Sequence, residues 1–115
     1  MMDHILPGVY AQQLQELNVI REKHGAAYHS LHEGFGALME EVEEVKEALE
    51  DVELATDRLW RITRHDMPHL VYGCANQIAH FAAKAAAEAI QVAAVARKIA
   101  DAYEEAAIHE SKDEA

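Results

Sequence analysis

The chain has 115 residues, 50% of them apolar, and carries 21 acidic against 10 basic side chains for a formal net charge of −11. That charge disfavours binding to nucleic-acid phosphates or to an anionic membrane surface, and it suits a protein that holds cations on carboxylates. A single cysteine, Cys74, excludes an internal disulfide and points to a reducing compartment. No run approaches eighteen uninterrupted apolar residues, and the opening stretch MMDHILPGVY lacks the basic start and apolar core of a secretory signal. The expectation is a cytoplasmic single domain over 1–107, with a polar tail over 108–115.

Five glycines, two prolines and no period-two apolar run leave helix as the only regular structure. The first helix is expected to begin near Pro7, which suits a first helical turn, and to stop at Gly25. Tyr10, Leu14, Leu17 and Arg21 recur along it at helical spacing. Ser30, with Glu33 three residues on, reads as the capping box of a second helix. That helix carries the clearest pattern in the chain: Phe35, Leu38, Val42, Val45, Leu49 and Val52 step by three and four into a continuous apolar seam. A further helical segment follows through Leu59, Trp60 and Ile62, and Asp66 with Pro68 marks a boundary, the aspartate capping and the proline in the first turn. From His69 to about Ala107 one long alanine-rich helix is expected, with Gly73 as its one weak point. Three or four such helices form an all-α antiparallel bundle, and the small-residue faces and low aromatic content favour a homodimer or homotetramer.

Most acids of the second helix fall on its far, solvated side. Glu41 and Glu44 do not. With Ala37 and Ala48 they form a strip along one edge of the seam, and two carboxylates at i and i+3 can grip one divalent cation. On the last helix, Glu88 lies amid a stripe of Phe81, Val92, Val95 and Ile99. A carboxylate there must be neutralised, paired or bound to metal, so either a buried ion pair with Lys84 or a Mg²⁺ site shared with Glu41 and Glu44 accounts for it. Oxygen donors without cysteine or histidine select Mg²⁺, or Mn²⁺, over zinc. A carboxylate-bridged di-iron site is set aside, because no Glu-x-x-His occurs.

The segments KHGAAYHSLHEGFGALMEEVEEVKEAL and AAEAIQVAAVARK resemble the MazG-like branch of the all-α nucleoside triphosphate pyrophosphohydrolases. These are Mg²⁺-dependent helical enzymes that cleave a nucleoside triphosphate to the monophosphate and pyrophosphate. Glu40-Glu41-Val42-Glu43-Glu44 matches the family's EExxE motif, and Glu88-Ala89-Ile90-Gln91 occupies the place of its ExxD motif. Gln91 stands where the family has aspartate, and so offers a ligand oxygen without charge. The resemblance implies that Glu41, Glu44, Glu88 and Gln91 hold the metal, and that Glu40 or Glu44 polarises the attacking water. It implies phosphate contacts from Lys84, Arg97 and Lys98, and base or sugar contacts from Lys23, His24, Tyr28 and His32. The competing expectation is a helical module that binds nucleotides or a partner protein without catalysis.

Overall fold

The computed structural model describes residues 2–114, with side chains up to His109. Four α-helices follow in order: α1 (Leu6–His24), α2 (Leu31–Arg64), α3 (Val71–Ala102) and α4 (Glu104–Glu114), with a 3-10 turn at Pro68–Leu70 ahead of α3. No strand occurs among the described residues, so the all-α helical bundle expected from the sequence is the fold. The chain divides into two compact units, Met1–Glu40 with Ile90–Ala115, and Glu41–Ala89, so that α2 and α3 each contribute to both.

The helix ends follow local chemistry. Pro7 lies in the first turn of α1, and Gly25 ends it at φ 84°, its N–H donating to the Arg21 carbonyl at 2.8 Å; that left-handed conformation suits a residue without a Cβ. Arg21, Lys23 and His24 fill the last turn, where positive charge meets the carbonyl end of the helix. The Ser30 hydroxyl accepts the Glu33 N–H at 3.1 Å and so caps α2. Helix α2 then runs unbroken through the segment where its sequence pattern loosens, and α3 runs unbroken through Gly73.

Two boundaries differ from expectation. Asp66 does not cap the following helix. It adopts φ 51° and closes α2, with its N–H donating to the Thr63 carbonyl and that of Met67 reaching back to the Ile62 carbonyl, both at 3.1 Å. This pair of bonds around one left-handed residue is a Schellman closure with aspartate in the position usually held by glycine. At the other end, α3 stops at Ala102, Tyr103 forms a turn, and the stretch expected as a polar tail is helix α4 as far as Glu114. Its alanines and glutamates are good helix formers, which a count of polarity overlooks.

In the Glu41–Ala89 unit, α2 and α3 run antiparallel: Glu44 meets Glu88 at one end, while Ala55 and Arg58 meet Cys74 and Gln77 at the other. The Cys74 thiol donates to the Ala55 carbonyl at 3.3 Å, and the Arg58 guanidinium to the Gln77 side-chain oxygen at 2.7 Å. The buried residues of this unit are Ala48, Ala55, Ile62, Cys74 and Ala85. On α2 these repeat every seven residues from Glu41, along the small-residue strip beside the apolar seam. The seam itself is only half-buried at Val42, Val45, Val52 and Leu59, and Leu49 and Trp60 are 48% and 59% exposed. Small side chains let the two helix axes approach closely, so the narrow strip and not the bulky seam forms the contact.

In the other unit α1 lies parallel to the end of α3: Glu16 pairs with Gln91, and Arg21 with Asp101. Its core holds Leu17, Ala94, Val95 and the aliphatic stem of Lys98. Lys98 is fully buried, its ammonium 3.9 Å from the centre of the Tyr28 ring and without a hydrogen-bond partner among the described residues. The ring face supplies the attraction that replaces solvation. A side chain at Gly34 would meet Tyr28 Cδ2 at 3.2 Å and Ile99 Cγ1 at 3.3 Å, so this glycine admits the ring above the lysine.

By length and mean hydropathy, Pro68–Ala102 is apolar enough to cross a bilayer, although it holds no uninterrupted apolar run of eighteen residues. Alanine supplies that average, and the segment still carries Lys84, Glu88, Arg97, Lys98 and Asp101.

Replacing Asp66 by glycine relieves the left-handed strain at the end of α2. Asp66→Gly is expected to raise stability by about 0.5–1 kcal/mol, read from the urea midpoint. A loss of stability would contradict the closure described for this helix.

Candidate metal centre

Glu41 and Glu44 sit one turn apart on α2, with the buried Ala48 beyond them, and Glu88 sits on α3 beside the buried Ala85. The two alanines bring the helices close where the carboxylates are. The consequence is a cluster in which Glu41, Glu44 and Glu88 each offer an oxygen within 4.8 Å of the others. Glu41 and Glu88 are half-buried and Glu44 is exposed, so the cluster opens to solvent on the Glu44 side.

Three carboxylates at this separation repel one another unless positive charge is shared among them. The Glu88 carboxyl is pushed above its ordinary range first by its hydrogen bond with Glu44, then by burial and by the Glu44 charge, while the Lys84 ammonium pulls the other way. The partner of Glu88 is therefore another acid, not the lysine of the ion-pair alternative, and Lys84 acts as the weakest of the influences on it. Hard oxygen donors converging from two helices fit Mg²⁺ or Mn²⁺, whose charge would offset the repulsion among the three carboxylates.

Lys84 belongs to the same unit and is exposed. The other residues singled out in the sequence belong to the second unit. Glu40 is exposed, as are Lys23, His24, His32 and Arg97. Two of the expected roles are altered. Gln91 gives its amide N–H to Glu16 at 2.8 Å, so it is held by α1 rather than left available on the face of α3. Lys98 is sealed under Tyr28 and presents no ammonium to solvent, which corrects its assignment as a phosphate contact; Tyr28 is likewise committed to covering it.

Sequence reasoning did not find the polar contacts of α1. Glu16 accepts from both Gln12 and Gln91, and Arg21 pairs with Asp101 at 2.7 Å. Arg21, Arg97 and Asp101 line a cleft of about 200 Å³ with Tyr10, Gln13, Leu14 and Leu17. These partners are 75 and 80 residues apart in the chain, and no local pattern signals such pairs.

A raised acid binds its proton more tightly in the folded than in the unfolded chain. Its contribution to stability is therefore complete below the ordinary value of 4.5 and is lost as pH rises through the elevated folded value. In metal-free buffer, Glu88→Gln is expected to melt above wild type at pH 8, with the gap closing as pH falls toward 4.5. A gap that stays constant with pH would contradict the raised Glu88 carboxyl.

In comparisons with protein-family models, curated protein sequences and solved structures, nothing matches this chain.

Proposed function

We propose that this chain is a Mg²⁺-dependent nucleoside triphosphate pyrophosphohydrolase, acting at the Glu41–Glu44–Glu88 cluster. The observation that supports the reading is the convergence of three carboxylates from two helices, which raises the Glu88 carboxyl. Acids gathered this closely repel one another, and a pure scaffold gains nothing from that. Glu41, Glu44 and Glu88 would hold the cation. When bound, Mg²⁺ neutralises phosphate charge and lowers the pKa of a coordinated water.

The remaining work falls to the protein's own groups. Glu44 is the exposed member of the cluster, so it is placed to accept the proton of the attacking water. The water oxygen bonds to the α-phosphorus, the bond from that phosphorus to the bridging oxygen breaks, and pyrophosphate leaves with the electron pair. Lys84, exposed and close enough to Glu88 to be felt there, offers the positive charge that meets the departing phosphates. Glu40, Arg97, Lys23, His24 and His32 are exposed in the other unit, and no part in this site is assigned to them.

A second reading is favoured by one observation. Gln91 and Lys98, both expected to serve substrate or metal, are spent on Glu16 and Tyr28. A chain that binds metal and nucleotide without cleaving would tolerate that loss.

Pyrophosphate release from a panel of nucleoside and deoxynucleoside triphosphates, with Mg²⁺ or Mn²⁺, separates the two. Wild type is expected to turn over at least one of them, and Glu41→Gln to lose on the order of 100-fold or more. Mg²⁺ at ten times its Kd should stabilise wild type by about 1.4 kcal/mol and leave Glu88→Gln unmoved. Metal-dependent stabilisation without turnover would establish the binding module, and neither effect would remove the cluster from consideration.

A further inference from the structure

The α2–α3 pair holds a cleft that the carboxylate cluster does not use. It lies toward the turn joining the two helices and encloses about 360 Å³. Arg58 and Ile62 of α2, Leu70 of the 3-10 turn, and Gly73, Cys74 and Gln77 of α3 line it. All six belong to the Glu41–Ala89 unit. Arg58 stands fourteen residues beyond Glu44 on one unbroken helix, about 21 Å along its axis. Small-molecule sites occupy about 300–1,000 Å³, a range that includes this volume. Gly73 is the lining residue that the fold itself leaves unexplained. A glycine inside a helix is less favourable than alanine, and calls for a packing or a functional reason. Nothing lies within 4 Å of where its Cβ would stand, so packing does not supply one. What the missing side chain leaves is open space in the wall of the cleft.

The polar and apolar parts of the lining say what fits. Ile62 and Cys74 are buried, and the Cys74 thiol is already given to the Ala55 carbonyl, so the floor is apolar. The exposed rim consists of donors. Arg58 gives one N–H to the Gln77 side-chain oxygen at 2.7 Å, which holds both groups in place. The Gln77 amide nitrogen and the other guanidinium nitrogens have no partner among the described residues. No acid stands one turn from Arg58 on α2, where its neighbours are Leu54, Ala55, Arg61 and Ile62. From Arg58 to Ala87 four cations, Arg58, Arg61, Arg64 and Lys84, face the single carboxylate of Asp66, although the whole chain carries −11. Donors at the rim in a positive stretch select an anion, and a guanidinium edge matches the two oxygens of a carboxylate. The apolar floor selects a ligand with a compact apolar body.

We propose that this cleft binds a small monocarboxylic acid, its apolar body against Ile62, Leu70 and Gly73 and its carboxylate on Arg58 and the Gln77 amide. The site does not depend on the hydrolase reading, since it uses no residue of the carboxylate cluster.

The test uses the full chain with benzoate and hexanoate as probes. Benzamide serves as the neutral control, and inorganic phosphate as an anion without an apolar body. Binding is read by saturation-transfer NMR on the probe and by the rate at which iodoacetamide alkylates Cys74, the one thiol of the chain. At least one carboxylate should bind with a Kd of about 1 mM or below. At ten times that Kd it should slow alkylation about 10-fold, because it covers the floor on which Cys74 lies. Arg58→Gln keeps a donor and loses the charge, and should weaken binding on the order of 10-fold or more. Gly73→Leu should abolish binding while melting at or above wild type, because its side chain enters open space and the helix gains a better former. Failure of both carboxylates to bind and protect Cys74 overturns the proposal. So does benzamide or phosphate binding as tightly as the carboxylates, or binding that survives unchanged in Arg58→Gln or Gly73→Leu.

Discussion

Two helices can bring carboxylates together only if their axes approach closely, and here small side chains permit it. Ala48 and Ala55 on α2 and Ala85 on α3 are nearly or wholly buried, and the approach they allow sets Glu41 and Glu44 against Glu88. Larger residues at those three positions would hold the helices apart and leave three separate surface acids. The approach raises the Glu88 carboxyl above its ordinary range, chiefly through its hydrogen bond with Glu44. The same device governs the other unit, where Gly34 admits the Tyr28 ring over the Lys98 ammonium. Small residues in this chain place charged groups as much as they fill space.

That principle also explains how the apolar seam comes to be left open. Helix contact in a single chain is decided by what lets backbones approach, and the alanine strip wins over the valine and leucine seam beside it. Burial of Ala48 and Ala55 contributes little apolar area, so most of the transferable hydrophobic surface of α2 is still unspent in the single chain. A core of this kind is consistent with the marginal burial available to short chains.

Much of this was legible in the residues, and the reason is locality. Pro7, Gly25 and the Ser30–Glu33 pair mark helix ends through interactions spanning a few residues, so their meaning does not depend on the rest of the fold. Glu41, Glu44 and Glu88 were legible because a helical angle places a side chain on a face before any partner is known. Asp66 was misassigned because aspartate serves both as an N-cap and as a tolerated left-handed residue, and only the bonds back to Ile62 and Thr63 decide between them. Gln91 and Lys98 were given to a ligand because their actual partners, Glu16 and Tyr28, lie on elements remote in sequence. The seam is the clearest pattern in the sequence, yet much of it stays open, because hydrophobicity marks a face that favours burial without showing which neighbouring face comes close enough to cover it.

The proposed metal centre depends on the three carboxylates behaving as one cation-binding unit. Calorimetric titration of Mg²⁺ into the metal-free protein, at neutral pH and again at falling pH, tests this directly. One saturable site is predicted, weakening as pH falls and abolished in Glu88→Gln. Absence of saturable binding, or binding that Glu88→Gln leaves intact, would contradict the claim that Glu41, Glu44 and Glu88 form the metal centre.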